Sequence, residues 1–506
     1  MSGTNTGKRL AKNTVYMYIR MIVLTIVTLY TSRVVLQQLG VEDFGIYSVV
    51  GSVVAMFSSL RGLFASSTQR FINYQMGRGC YDTVKTIFNM SIAIQLIISL
   101  GLLFLAESVG IWFIESKMSV EPDRVFAAHW TLQLSLLSVI FSMITTPFDA
   151  LIIAHEKMNF YAYVAIFEAI LRLVIVFVLN YSPIDKLICY AALQLLITLI
   201  VFLINLCYCR YSFAECRFQK SWSRDVFFEM SSFAGWNFLG NTAFALTQNG
   251  LNMLLNTFVG VAANAAREIA YQVNAALVKA LGAITIVINP YCTKTYASGQ
   301  LDKTLNIIYL SSKIYMMIQI FIALPLCVYS EDVLSLWLGA VPKYANGFVK
   351  LVMLHTVIRS IHYPLNNLFI SVGNLKRYQI AEVIILSIPL LFSYVFLKNG
   401  FEPFVVFWMM IVFEIINYFA IINIAHKDAY LPKKEYLRRV IVPCIVVLIV
   451  GILGFYVCSI TQYLLYKGLL LIVSLIAIST CMFFIGLNEQ EKSQLYTVMQ
   501  QLLRKH

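Results

Sequence analysis

Long apolar runs separated by short polar segments are the dominant pattern of this chain. A helix needs about 20 mostly apolar residues to cross a bilayer, and windows of that kind occur fourteen times. Turn-forming residues mark the breaks, as at Ser182-Pro183 and Asn399-Gly400. The pattern predicts an all-α integral membrane protein with about 14 transmembrane helices. The predicted spans are residues 11–37, 44–74, 84–110, 124–153, 160–181, 186–209, 226–256, 263–290, 303–329, 345–372, 378–397, 403–425, 437–458 and 467–486.

Composition agrees with a membrane protein and argues against other classes. Hydrophobic residues make up 59% of the 506 residues and charged residues 12%, whereas soluble domains carry roughly 25% charged residues. The net charge of +13 would fit a nucleic-acid partner, but the Lys and Arg residues gather in loops on one predicted face of the membrane. We therefore expect contact with membrane lipid and none with nucleic acid.

The basic residues also orient the predicted helices. With the N-terminus in the cytoplasm, the inside segments between these spans hold 17 Lys and Arg residues and the outside loops hold three, as the positive-inside rule requires. An even number of spans places the C-terminus in the cytoplasm as well. The first apolar run lacks a small-residue cleavage site, so we expect it to remain as the first span.

Signatures of an enzyme are missing from the sequence. It has no G-x-x-x-x-G-K-[ST] loop for ATP, no Ser/His/Asp arrangement and no zinc-ligand cluster. His355 and His362 share a helical face, but a packed or solvated histidine is the simpler interpretation. We therefore predict that the protein is not an enzyme and has no metal or other cofactor.

An internal repeat divides the chain into two similar halves. Leu39-Gly40-Val41 closes the first span and Val259-Gly260-Val261 the seventh, 220 residues later. The repeat predicts two six-helix bundles in a parallel pseudo-repeat, followed by a C-terminal helix pair. The predicted domains are residues 1–209, a linker at 210–225, 226–425 and 426–506. Further matches at offsets of 220 or 217 are Gly79 with Gly299, Asp82 with Asp302, Pro147 with Pro364, and Tyr161 with Tyr378. The two prolines would bend spans four and ten.

Several motifs near the start resemble a known family. They are residues 12–20 (KNTVYMYIR), 30–36 (YTSRVVL), 39–47 (LGVEDFGIY) and 68–71 (TQRF). These stretches resemble the Wzx-type O-antigen and capsule polysaccharide flippases, which belong with MATE-like multidrug exporters to one superfamily. The resemblance is strongest over residues 12–80, and the six-plus-six-plus-two layout agrees with it elsewhere.

The resemblance implies a function in polysaccharide biosynthesis, including that of lipopolysaccharide. The chain would flip undecaprenyl-pyrophosphate-linked oligosaccharide from the cytoplasmic to the outer face of the bacterial inner membrane by alternating access. The lipid-linked oligosaccharide would be the main partner, and other polysaccharide-assembly proteins are further candidates.

Basic residues inside the predicted spans are candidates for headgroup binding. A charge at the bilayer centre costs at least about 2.5 kcal/mol. Arg61 and Lys279 lie at similar depths of spans two and eight, because Lys279 aligns with Ser59 at the 220-residue offset. With Arg20 and Arg359, they would line a cationic cavity that binds pyrophosphate through charge-assisted hydrogen bonds. The alternative is an ion pair with an acidic residue inside a bundle.

Other intramembrane arginines have simpler interpretations. Arg172 lies one turn after Glu168 and can pair with it. Arg33, Arg70 and Arg267 lie near span ends, from which long side chains can reach water.

Five amides follow one face of span seven. They are spaced by 4, 7, 4 and 4 residues, which places them on one side of a helix. Amides both donate and accept hydrogen bonds and suit water and sugar hydroxyls, so we predict a polar cavity face; the alternative is hydrogen bonding between helices. The five are Asn237, Asn241, Gln248, Asn252 and Asn256.

Two energy sources fit the sequence. An inside-negative potential favours outward movement of an anionic diphosphate. Coupling to H+ or Na+ is the other, with Asp149, Glu168, Glu382 and Glu414 as candidate carriers. The rival function is a MATE-type cation-coupled exporter of drugs or other small molecules, which would favour an acidic or aromatic cavity.

Overall fold

The computed structural model describes residues 2–116, 122–182, 184–217, 222–338, 341–460, 464–489 and 491–492. Helices hold 90% of the residues, and these ranges contain no strand. The predicted all-α membrane fold is confirmed. The helices are α1 (Ser2–Gly77), α2 (Tyr81–Ser116), α3 (Val125–Ala154), α4 (Met158–Val178), α5 (Lys186–Ser212), α6 (Arg224–Phe258), α7 (Val261–Ala297), α8 (Leu301–Val328), α9 (Ser330–Leu338), α10 (Ala345–Ser360), α11 (His362–Val372), α12 (Lys376–Lys398), α13 (Val405–Asp428), α14 (Lys433–Tyr436), α15 (Val442–Ile460) and α16 (Leu464–Cys481).

The helices account for all the predicted spans. Within the described ranges, nine helical segments are long and apolar enough to cross a bilayer. The five remaining predicted spans fall in α1, α6, α7 and the α10–α11 pair, which carry more polar residues. Helix α1 contains two of these spans, joined at Gly40.

The internal repeat extends to the backbone conformation. Gly40 (φ 80°) and Gly260 (φ 107°) both have positive φ, as do Gly79 (φ 74°) and Gly299 (φ 78°), and each pair lies 220 residues apart. A third pair, at the 217-residue offset, is Glu156 (φ 58°) and Gly373 (φ 89°). The repeat therefore preserves the geometry of its helix junctions.

Gly40 provides a direct test of this geometry. Its φ of 80° and ψ of 170° belong to a region that only glycine adopts readily, and other residues pay about 1–3 kcal/mol there. We expect Gly40→Ala to lower the free energy of unfolding by that amount, measured by thermal and denaturant unfolding in detergent micelles. Gly101→Ala in α2 is the matched control, because an added Cβ at either glycine meets no atom within 4 Å. Equal losses in the two variants would contradict the strain argument.

The chain forms two compact units. The N-terminal unit comprises Ala11–Gly235 and Ile286–Ala297, and the C-terminal unit comprises Met1–Leu10, Trp236–Thr285 and Ser298–His506. Helices α6 and α7 therefore contribute residues to both units. The predicted domain boundaries stay predictions.

Helix α3 is central to the packing of the N-terminal unit. It is flanked by α2 and α5, and Ala127, Ala128 and Leu132 on α3 pack in one buried cluster with Ile46 and Leu187. The small alanines permit close helix approach, which suits packing inside a membrane.

An ion-pair cluster stands beside this core. Arg124, which precedes α3, pairs with Asp43 and donates to Asp185 at 2.5 Å. The hydrogen bond that Arg124 donates to the Asp43 carboxylate raises the pKa of the guanidinium. Asp43, part of the motif at residues 39–47, thus joins α1 to the starts of α3 and α5.

The two repeat-related prolines behave differently. Pro364 cannot donate to the carbonyl of Ser360, and span ten is interrupted at Ile361, where α10 gives way to α11. Pro147 lies inside α3, which continues without a break. The interruption places Arg359 and His362 on either side of a helix junction.

Candidate functional site

A polar cavity of about 250 Å³ lies inside the C-terminal unit. Helix α6 forms one wall, the α10–α11 junction a second and α12 a third. Side chains that can donate or accept hydrogen bonds dominate its lining. They include Asn237, Asn241, Thr247, Arg359, His362, Asn366, Tyr378, Gln379, Glu382 and Ser387.

Arg359 is the centre of a buried charge cluster beside this cavity. Its guanidinium donates to Glu414 on α13 at 2.7 Å and to Glu382 on α12 at 3.2 Å. The alternative that we raised for Arg359, an ion pair inside a bundle, is therefore present, although the side chain also lines the cavity. Such pairing offsets the cost of placing an arginine in a low-dielectric environment.

Two histidines complete the cluster. His355 Nε2 lies 3.7 Å from Glu414, and His362 Nε2 lies 3.5 Å from Glu382 and 2.8 Å from the hydroxyl of Tyr378. One arginine and two carboxylates give this cluster an excess of acidic over basic side chains. Across the described residues, no group of side chains is arranged to hold a metal ion.

A second buried arginine is held by amides. Arg267 on α7 is only 3% exposed, so the expectation that it reaches water from a span end is wrong. It donates to Asn252 at 2.7 Å and to Gln248 at 2.5 Å, and its guanidinium lies 4.6 Å from the centre of the Tyr271 ring. Both acceptors are neutral, so the charge of Arg267 is hydrogen-bonded but not neutralised.

The five amides of α6 thus have different surroundings. Asn237 and Asn241 line the cavity. Gln248 and Asn252 bind Arg267 on the neighbouring helix, as the interhelical alternative proposes, and Asn252 also donates to Glu268 at 2.9 Å. Asn256 is exposed.

The predicted cationic residues do not form one described cluster. Arg20, in the N-terminal unit, lies 4.7 Å from the centre of the Tyr161 ring, and its buried Nε has no hydrogen-bond partner. Lys279 is exposed on α7 and has no carboxylate within ion-pair distance among the described residues. The side chain of Arg61 lies outside the described residues.

The candidate coupling residues are divided between the two units. In the N-terminal unit, Asp149 accepts from Asn205 at 3.1 Å, and Glu168 pairs with Arg172 at 2.8 Å. In the C-terminal unit, Glu382 and Glu414 share Arg359.

Sequence reasoning missed Gln379 and undervalued His362 as site residues. His362 carried a signal, its position seven residues from His355 on one helical face. Tyr378 also carried a sequence signal, because it matches Tyr161 in the internal repeat. Gln379 had none, since its place in the cavity depends on contact with Gly240 of α6.

Comparison with known proteins identifies the fold. No protein-family model and no curated protein matches the sequence, but solved structures do. A multidrug resistance MATE family transporter of the MOP superfamily, in its outward-facing conformation, aligns with a TM-score of 0.72 and 14% identity over 85% of this chain and 99% of that chain.

Two further structures give the same result. A MATE transporter in a bent conformation aligns with a TM-score of 0.72 and 14% identity over 86% of this chain and 99% of that one. A MOP superfamily transporter from Pyrococcus furiosus, described as having a binding pocket of reversed polarity, aligns with a TM-score of 0.69 and 14% identity over 84% of this chain and 98% of that one. The chain therefore has the fold of the MATE transporters.

Proposed function

We propose that this chain, which has the fold of MATE transporters, flips undecaprenyl-pyrophosphate-linked oligosaccharide from the cytoplasmic to the outer face of a bacterial inner membrane. Both termini lie in the cytoplasm in this proposal. The headgroup enters a polar cavity while the polyprenyl tail stays in lipid, and alternating access releases it on the other side. Proteins of polysaccharide assembly are candidate partners that supply and receive the substrate.

The observation that carries the proposal is a set of cations without acidic partners. Among the described residues, Arg20, Arg267 and Lys279 have no carboxylate within ion-pair distance. Charged side chains in membrane segments generally face a partner or a water-filled path. An anionic headgroup that passes these residues would provide the missing charge, and a guanidinium can bind phosphate through two parallel hydrogen bonds.

The sequence resemblance supports the same substrate class. The stretches at residues 12–20, 30–36 and 39–47 are those that resemble polysaccharide flippases. One of the unpaired cations, Arg20, lies within the first of them.

A second candidate function is cation-coupled export of drugs or other small molecules. The carboxylate-rich cluster of Arg359, Glu382 and Glu414 favours it, because such a cluster can exchange a cation or proton for a cationic substrate. The same cluster also serves the flippase proposal, in which uptake of H+ or Na+ supplies the energy.

A reconstitution assay tests the proposal. We expect the wild-type chain in proteoliposomes to flip a fluorescent undecaprenyl-pyrophosphate oligosaccharide. Lys279→Ala should slow flipping about tenfold or more, because a charge-assisted hydrogen bond contributes about 1.5–3 kcal/mol and 1.4 kcal/mol corresponds to tenfold. Arg439→Ala is the matched control, since Arg439 already pairs with Glu435 at 3.0 Å and neither residue is a candidate for substrate binding or coupling.

The outcomes separate the two functions. Loss of flipping in Lys279→Ala, with the control unchanged, supports the flippase. A wild-type chain that does not flip the lipid but exchanges organic cations for H+ or Na+ sinks the flippase proposal in favour of the drug exporter.

A further inference from the structure

We infer that the cavity of the C-terminal unit is a saccharide subsite that binds one sugar ring of the transported headgroup. The inference rests on the proposed function, because it names the part of the substrate that this cavity takes. The pyrophosphate binds elsewhere, at one of the cations that lack a carboxylate partner.

The first argument is an unpaired donor and an unpaired acceptor on the same cavity. The Nδ2 of Asn237 and the Oε1 of Gln379 are buried without a hydrogen-bond partner, and both residues line the cavity. Gln379 is only 6% exposed. A buried polar group without a partner is unfavourable, and a hydroxyl both donates and accepts. A ligand rich in hydroxyls can therefore satisfy both groups.

The rest of the wall suits a sugar ring. Asn241 and Asn366 add two more amides, and Phe244 adds an aromatic ring that is 41% exposed. Pyranose rings combine hydroxyl edges with an apolar C–H face, which an aromatic ring can cover. A few placed polar groups beside an aromatic surface are the usual makeup of a small-molecule site.

Charge argues against phosphate in this cavity. Arg359 is the cation that lines it, and Glu382 and Glu414 both hold that guanidinium. The two carboxylates outnumber the one guanidinium, so no positive charge is left over to bind a phosphate, whereas an uncharged ligand needs none. A volume of about 250 Å³ lies just below the roughly 300–1,000 Å³ of pockets that take drug-sized ligands, which suits one sugar ring better than a chain of them.

The repeat shows how the wall of this cavity differs from the matching position of the N-terminal unit. At the 220-residue offset, Gly240 corresponds to Arg20, and at the 217-residue offset Tyr378 corresponds to Tyr161. In the N-terminal unit the Arg20 guanidinium lies over the Tyr161 ring. In the C-terminal unit a glycine stands at that position, and Gln379 approaches it so closely that an added Cβ would lie 1.9 Å from its Oε1. The space and the unpaired amide both depend on this glycine.

Saturation-transfer NMR on the full chain in nanodiscs tests the subsite. The probes are the methyl glycosides of glucose, galactose, mannose and N-acetylglucosamine. We expect at least one to bind the wild-type chain and to lose binding at least fivefold in Gly240→Ala, which displaces Gln379, and in Asn237→Ala, which removes the unpaired donor. Gly235→Ala on the same helix is the control, because an added Cβ there meets nothing within 4 Å.

Every outcome decides the inference. Binding that falls in both variants but not in the control supports it. No binding of any glycoside overturns it, as does binding that neither variant changes, or displacement of the glycoside by tetraethylammonium. Sugar binding without lipid flipping would sink the proposed function and leave the subsite. Wild-type flipping with the same rate in Asn237→Ala would leave the function and sink the subsite.

Discussion

Replacement of Arg359 by methionine is expected to lower the free energy of unfolding by about 3–5 kcal/mol, the usual cost of removing one partner from a buried ion pair. The variant leaves Glu382 and Glu414 facing each other without their shared cation. Glu414 is only 1% exposed, so its carboxylate is poorly solvated once the guanidinium is removed. Thermal and denaturant unfolding of the purified chain in detergent micelles measures the loss.

Two further variants make the result specific to the cluster. Arg172→Met removes the cation of an exposed pair one helical turn apart on α4, and such pairs contribute less than about 1 kcal/mol. Adding Glu414→Gln to Arg359→Met removes one of the stranded carboxylates and should recover part of the stability. If Arg359→Met and Arg172→Met proved equally mild, the cluster would not be the buried network described here.

Glu491→Gln is expected to have the second largest effect, a loss of about 3 kcal/mol or more. Lys313 on α8 is 2% exposed, and both carboxylate oxygens of Glu491 accept from its ammonium group, at 2.8 and 2.6 Å. Glu491 also accepts from the backbone N–H of Asn488 at 2.8 Å, while Asn488 Oδ1 accepts from the backbone N–H of Glu491. These reciprocal bonds form a capping box, so one carboxylate both starts a helical turn and neutralises a buried lysine.

Hydrogen exchange and unfolding together measure this second effect. Residues 488–492 should lose protection in Glu491→Gln, because the segment is no longer held by Lys313. The control is Glu489→Gln, since the Glu489 side chain is 90% exposed and surface substitutions usually stay within about 0.5 kcal/mol. Unchanged protection at residues 488–492 in Glu491→Gln would show that other contacts hold the segment.

The spans could be predicted from the sequence because each depends on a local property. The length and apolar character of a run decide whether it can cross a bilayer, and both are readable one segment at a time. The junction glycines were also readable, because a positive φ restricts the residue type and the repeat places that restriction at Gly40 and again at Gly260.

Pairings between helices could not be predicted in the same way. In the sequence, Glu382, Glu414 and Asp149 were equally available to an intramembrane cation, and only Glu168 had an evident partner, Arg172. The packing of α10 against α13 decides that Glu414 reaches Arg359. Lys313 pairs with Glu491, which lies 178 residues further along the chain, in a polar segment that follows the last predicted span.

The cavity could not be predicted from the sequence for a related reason. A glycine at position 240 gives no signal in an apolar helix. Its role is to leave room for the side chain of Gln379 on another helix. The amide face of α6 was visible as a spacing pattern, but the pattern could not say which amides meet a cavity and which meet Arg267.

The interruption of span ten has a consequence for the field around Arg359. Because Pro364 has no N–H, the carbonyl of Ser360 loses its intrahelical donor at the end of α10. The dipole of a helix places partial negative charge at its C-terminal end and partial positive charge at its N-terminal end. Arg359 therefore lies at the end of α10 that favours a cation. Glu382, 3.5 Å from His362, lies by the end of α11 that favours an anion. The junction at Pro364 therefore places a helix end that favours a cation at Arg359 and one that favours an anion near Glu382, so the backbone itself contributes to the stability of the ion pair.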